Sequence, residues 1–225
     1  VGGALSLVSA NGEKTSLATL PYDLRTISIS RNGKTLAGGT WSGQVILFDL
    51  ETKSHTVLAQ ENGNRILSVQ FSPSGNLLAY GMEELSNRGR GLVKVYDFQQ
   101  KTTRQYTGHK AGVNDIDFSS DEKLMASAGL DKRLQLYVLE FPEDLPVVMD
   151  NNNGFVWDIA FVPGKNLLVA ACSESEIRVW PTDPSILAER ICPKITRNMS
   201  EDEWRRYVGR EISYESTCSN AANNK

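Results

Sequence analysis

Only a few residues of this 225-residue chain are of types that do chemistry. There are two histidines, His55 and His109. His55 stands among Lys53, Ser54 and Thr56, a polar run that reads as an exposed strand. His109 has two readings: a general base working with nearby carboxylates, or a buried imidazole whose two nitrogens are satisfied by a carboxylate and a hydroxyl. Histidines so differently set, with no Cys-x-x-Cys pair, do not make a metal site. No Gly-x-Ser-x-Gly elbow or Gly-Lys-Ser/Thr phosphate loop is present. No cofactor is expected.

The acidic pairs Glu83-Glu84 and Glu201-Asp202 read as solvated loop and helix-cap residues. Arg88 and Arg90, separated by Gly89, could meet phosphate or carboxylate groups of a partner through their planar guanidiniums. The plainer reading is a hairpin loop without a ligand, its charge offset by Glu83 and Glu84. Cys172 reads as a small buried residue. Cys192 and Cys218 bracket the C-terminal region and are either a disulfide or a pair of reduced thiols.

These residues hang on a repeat. Apolar openers fall at Leu24, Ile66, Val113 and Val156, separated by 42, 47 and 43 residues. A second apolar residue follows 5 positions later, at Ile29, Phe71, Phe118 and Phe161. An aromatic comes 24 positions after the opener, at Phe48, Tyr137 and Trp180, and at Tyr96 after an insertion over Met82 to Gly91. Between these points the pattern alternates with period two, as in Val113-Asn-Asp-Ile-Asp-Phe118, and turn residues such as Ser72-Pro-Ser-Gly75 separate the runs. Repeats of this length in short strands predict an all-β propeller, a platform whose function lies in its surface residues.

With Gly108-His109, the Ser-Pro-Ser-Gly turn, and the drifted dipeptides Phe48-Asp49, Tyr96-Asp97, Tyr137-Val138 and Trp180-Pro181, the chain resembles the WD40 family from residue 1 to about 182. The resemblance implies that His109, Ser127, Asp131 and Tyr137 form the tetrad that cross-links strands within a blade. Ser42 and Glu174 stand at the Asp position of other units, which must rely on apolar packing. The resemblance also places the residue after each opener (Arg25, Leu67, Asn114 and Trp157), together with Trp41, Leu130 and Ser173, around the upper face where partners bind. There Trp41, Leu67 and Trp157 would form an apolar patch flanked by Arg25 and Asn114, a composition suited to an interface; the competing reading is that the tryptophans fill gaps between blades. Asp115 and Asp158 occupy equivalent places and could hold a cation at a central channel.

The expected architecture is a WD40 β-propeller segment of about four and a half blades from a seven-bladed ring, with a short C-terminal helical extension. Residues 1–20 are a partial first blade, and the repeats run over about 22–60, 63–107, 112–148 and 154–182. A helical extension follows over 183–218 and a disordered tail over 219–225. The extension should hold a short helix over Pro184 to Cys192. A second helix is predicted after a capping box at Ser200 and Glu203 and ends at Gly209, with Trp204, Tyr207 and Val208 docking on the propeller. The run from Cys192 through Arg197 and Trp204 to Cys218 is similar to segments closing the WD40 region of large bacterial multidomain signalling proteins of the STAND NTPase type. That resemblance implies upstream blades and an effector domain in the same polypeptide.

A net charge of −3 and a pI near 5.5 offer no general attraction to nucleic acid, and no stretch reads as a membrane span. The expected function is a non-enzymatic, cytoplasmic interaction scaffold or sensor that binds a protein or peptide on the upper face. The alternative is a propeller hydrolase or lyase using channel-mouth carboxylates and His109; a third reading is a purely structural segment.

Overall fold

The structure, a computed structural model, describes residues 3–20, 23–87, 89–183, 185, 186, 189, 192–209, 211–216 and 218. The chain divides into two units, Val1–Val179 and Trp180–Lys225.

Strands form where the sequence alternates and end at its turn residues. β1 (Gly3–Val8) and β2 (Lys14–Leu20) make a two-stranded antiparallel sheet. Three four-stranded meanders follow. The first is β3 (Leu24–Ile29), β4 (Thr35–Thr40), β5 (Gln44–Asp49) and β6 (His55–Gln60). The second is β7 (Asn64–Phe71), β8 (Leu77–Glu84), β9 (Arg90–Asp97) and β10 (Thr102–Tyr106). The third is β11 (Val113–Phe118), β12 (Leu124–Gly129), β13 (Leu134–Val138) and β14 (Val147–Met149). A three-stranded sheet of β15 (Val156–Phe161), β16 (Leu167–Cys172) and β17 (Glu176–Pro181) completes the series. The first strands of successive sheets are neighbours: β3 lies against β7, β7 against β11, and β11 against β15.

The cores lie between consecutive sheets. Ala37 and Val45 of the first meander pack with Ile66, Leu78 and Met82 of the second. Ala79, Val93 and Val95 of the second pack with Ile116, Phe118 and Met125 of the third. Burying one such Ile, Leu or Phe fully stabilises by roughly 1.5–3 kcal/mol. Second strands are built from small residues because the neighbouring sheet comes close: a Cβ on Gly39 would strike Ile66 of the next meander.

One irregularity recurs in register. Each first strand carries a β-bulge against its second strand, between Leu24 and Thr26, Ile66 and Ser68, Val113 and Asp115, and Val156 and Asp158. The extra residues are Arg25, Leu67, Asn114 and Trp157. A bulge re-aims the side chain it inserts, which gives these positions a common structural cause.

The insertion in the second meander is mostly ladder. Register runs on through Met82↔Leu92, Glu83↔Gly91 and Glu84↔Arg90, and a 3-10 turn over Leu85–Asn87 caps the hairpin. This corrects the reading of a free loop, since Glu83, Glu84, Arg90 and Gly91 are paired backbone.

In the second unit a 3-10 turn over Cys192–Lys194 precedes α1 (Glu201–Tyr207). The expected capping box is present, with Ser200 accepting from the Glu203 amide and Glu203 accepting from the Ser200 amide. Arg197 holds the same carboxylate with two bonds of 2.6 and 2.8 Å. Gly209, at φ +147°, takes the helix exit that a side chain rarely adopts. Trp204 engages its own unit: its indole donates to the Ile212 carbonyl at 3.0 Å and meets Tyr214 edge-on. Tyr207 and Val208 are exposed. Cys192 and Cys218 form a disulfide, and buried Asn198 brackets Cys218 by bonding both its N–H and its carbonyl. The helix expected over Pro184 to Cys192 falls largely, and the tail 219–225 wholly, outside the described residues.

Candidate interaction surface

His109, Ser127, Asp131 and Tyr137 meet in one buried network. His109 Nδ1 lies 3.0 Å from Asp131 Oδ1, and Nε2 lies 2.8 Å from Ser127 Oγ. A carboxylate only accepts, so the ring proton on Nδ1 faces Asp131 and Nε2 accepts from the Ser127 hydroxyl. Burial works to raise the Asp131 carboxyl. The His109 ring and the Lys110 and Arg133 amides outweigh it and hold the group below the usual carboxylate range. Tyr137 lies 3.3 Å from Ser127 and donates to Gln135 Oε1 at 2.7 Å. Gly129 closes β12 because a Cβ there would strike both His109 and Asp131. His109 is only 2 % exposed, with both nitrogens engaged. These bonds remove it as a general base for a bound substrate.

The bulged positions diverge in their surroundings. Trp157 is 52 % exposed and meets Phe155 edge-on, ring centroids 5.9 Å apart. Leu67, expected in an apolar surface patch, is instead only 9 % exposed; it occupies the space left where Gly112 lacks a Cβ. Asn114 reaches the next sheet and donates to the Val156 carbonyl at 3.3 Å. Arg25 is exposed, its guanidinium 5.6 Å from the ring centroid of Trp41. Trp41, in the turn between β4 and β5, is 49 % exposed. Arg65 lies over the same indole at 4.9 Å and reaches Glu83 at 3.5 Å. Arg90 is exposed at the start of β9, and Arg88 lies outside the described residues.

The sequence profile of the WD domain, G-beta repeat matches residues 100–137 and 145–181. With the meanders and the His109 network in place, that match decides the fold. The first unit is a partial WD40 propeller. Among similar proteins, "WD repeat-containing protein SL1-17" of Schistosoma mansoni is 28 % identical over 52 % of the chain. "Nuclear distribution protein nudF" of Aspergillus flavus is 24 % identical over 72 %, and "Protein HIR1" of Cryptococcus neoformans is 27 % identical over 74 %. The matches cover 37 %, 33 % and 21 % of those proteins, so the chain spans well under half the length of the curated relatives it matches. WD40 domains generally bind proteins, and WD40 repeat proteins are typically non-enzymatic scaffolds.

Between blades, polar side chains on the first strands fasten the next WD40 unit. Thr26 and Ser28 accept from the amides of Val69 and Phe71. Asp115 and Asp117 accept from those of Ile159 and Phe161, at 2.8 and 2.7 Å. Burial, followed by a hydrogen bond with the Asp158 carboxyl, raises Asp115 to about 8. Among the described residues no group of three metal-ligating side chains is arranged around a point, and no helix is long and apolar enough to cross a membrane.

A cleft of about 400 Å³ opens at the other end of these strands, floored by Phe71 and Phe98. Its polar lining already makes turn bonds: Asn32 accepts from Ser30 and Lys34, and Ser74 bonds Glu122. Sequence reasoning missed Arg65, which lies over Trp41, and Phe155, which meets Trp157. Both stand one position before an opener, a place to which the repeat pattern assigns no role.

Proposed function

We propose that this chain is a protein-interaction module that captures a protein or peptide across the face formed by Arg25, Trp41, Arg65, Phe155 and Trp157. The observation carrying this reading is that the two tryptophans are half exposed, although large aromatics are usually covered. Each is steadied by one or more neighbours, Trp41 by two guanidiniums and Trp157 by Phe155. A rigid, preordered aromatic contact loses little conformational entropy on binding. Asn114 and Arg90 belong to the rim of this face.

The wider setting is part of the same proposal: a sensor segment of a larger bacterial signalling protein, with further blades and an effector upstream. Its support is the tail pattern around Arg197, Trp204 and Cys218. A cytoplasmic location belongs to it too, and the Cys192–Cys218 disulfide makes that location testable, because cytosolic pools keep most such pairs reduced.

The test is a peptide library selected on the immobilised chain, followed by binding to Trp41→Ala and Trp157→Ala. Selected peptides should lose at least tenfold in affinity on both variants while the melting temperature barely moves. Peptides that bind both variants as well as the parent would remove this face from the interaction.

A further inference from the structure

Resting on that reading, we infer that this face takes an acidic peptide, with a carboxylate of the partner held by Arg25 and Arg65 beside Trp41. Two guanidiniums from different blades converge on one indole, Arg25 from β3 and Arg65 from β7, at 5.6 and 4.9 Å from its centroid. Among the described residues, Arg25 has no carboxylate within ion-pair distance, and Arg65 has Glu83 at a long 3.5 Å. Two like charges over one ring repel each other, and an anion placed between them turns that repulsion into attraction. A guanidinium has five N–H donors, so one lying over a ring can still donate to a carboxylate, and Arg65 already reaches Glu83 this way.

The same arrangement refuses other ligands. The indole attracts cations, but guanidiniums already occupy that role, so a lysine-rich segment meets two positive charges. Long polyanions meet a chain with net charge −3 and no basic stripe leading away from the arginines. A short acidic segment with an apolar neighbour fits both parts: the carboxylate goes to the arginines and the apolar side chain to the exposed edge of Trp41. Charge pairing of this kind speeds encounter and sets selectivity, and it weakens with salt.

The experiment uses the whole chain and fluorescence anisotropy with a labelled peptide repeating Gly-Glu-Glu-Leu. A Gly-Gln-Gln-Leu counterpart and a thymidine oligonucleotide serve as comparisons. The Glu peptide should bind at least about tenfold more tightly than the Gln peptide, and added salt should weaken it. Arg25→Gln with Arg65→Gln should remove that preference. If this pair disturbs folding, Arg25→Lys with Arg65→Lys keeps the charge but loses the planar fork, and should retain only part of the preference.

Equal binding of Glu and Gln peptides, lost in Trp41→Ala, would overturn the acidic assignment and leave the interaction face standing. An oligonucleotide bound as tightly through the same arginines would overturn it in favour of nucleic acid. Binding of neither peptide would overturn it as well, and the library selection would then decide the broader reading by itself.

Discussion

Asp115 accepts the backbone N–H of Ile159 at 2.8 Å, so a carboxyl on one blade's inner strand fastens the inner strand of the next. Burial, and then the Asp158 carboxyl bonded to it, raise Asp115 from 3.8 to about 8. The folded chain therefore holds this proton more tightly than the unfolded chain between about pH 4 and about pH 8. The stability it contributes is full below the unfolded value and is lost as pH rises through about 8. Asp115→Asn keeps an oxygen for Ile159 and removes the titration. Relative to the variant, the parent should melt progressively lower between about pH 4 and about pH 8 and level off above that; thermal melts across that range check it. A constant difference would show that Asp115 titrates alike in both states.

Ser127→Ala leaves His109 Nε2 buried without its 2.8 Å partner. An orphaned buried acceptor costs about 1–3 kcal/mol. For a chain of this size that is a fall of several degrees in melting temperature, at about 2–4 °C per kcal/mol. Because the network is covered, peptide affinity should not change. Urea denaturation and anisotropy on the same samples separate the two effects. A variant of normal stability with altered binding would move the network to the binding surface.

The repeat was legible because most of its openers and aromatics are buried: Ile66, Val113, Val156, Phe48 and Tyr137 are covered, and Leu24, Tyr96 and Trp180 are half-buried. Val113, Ile116 and Phe118 alternate in the sequence and are buried in the fold. His109 and Asp131 were traceable through resemblance, since a buried imidazole needs partners for both nitrogens. Arg65 was not, because its place over Trp41 depends on how one blade's turn meets the next blade's first strand, a contact between repeats. Leu67 misled for the same reason: it shares its repeat position with Trp157 but faces Gly112, and a missing Cβ in the next blade creates the space that covers it. Spacing alone does not bring two thiols together, so the sequence leaves the bonding of Cys192 to Cys218 open.

Reduction of Cys192–Cys218 should loosen the second unit selectively. The bond joins residues 26 positions apart and holds the Asn198–Cys218 pairing beside α1. Losing it should cost that unit about 2–4 kcal/mol. Hydrogen exchange should quicken at Trp204 and Val208, whose amides close α1, while Tyr80 and Val95 in the blades keep their protection. Alkylation of the reduced chain should label Cys192 and Cys218 but spare Cys172, which is buried and whose thiol burial pushes up. Equal exchange in both redox states would mean that the capping box and the Trp204–Tyr214 contact hold the unit unaided.

Leu67→Ala and Trp157→Ala test whether neighbours, rather than repeat position, decide the role of a bulged residue. Both side chains are inserted by the same bulge in the same register. Leu67 is covered in the gap beside Gly112, so its truncation opens a cavity and should cost about 2–4 kcal/mol. Trp157 is half exposed. Its truncation loses the edge contact with Phe155, worth about 0.5–1.5 kcal/mol, together with the binding attributed to this face. Chemical denaturation should therefore rank Leu67→Ala as clearly the less stable, while peptide affinity should rank Trp157→Ala as the weaker binder. If Trp157→Ala proves the less stable of the two, the indole is serving the blade junction, and the interaction surface contracts to the Arg25–Trp41–Arg65 cluster.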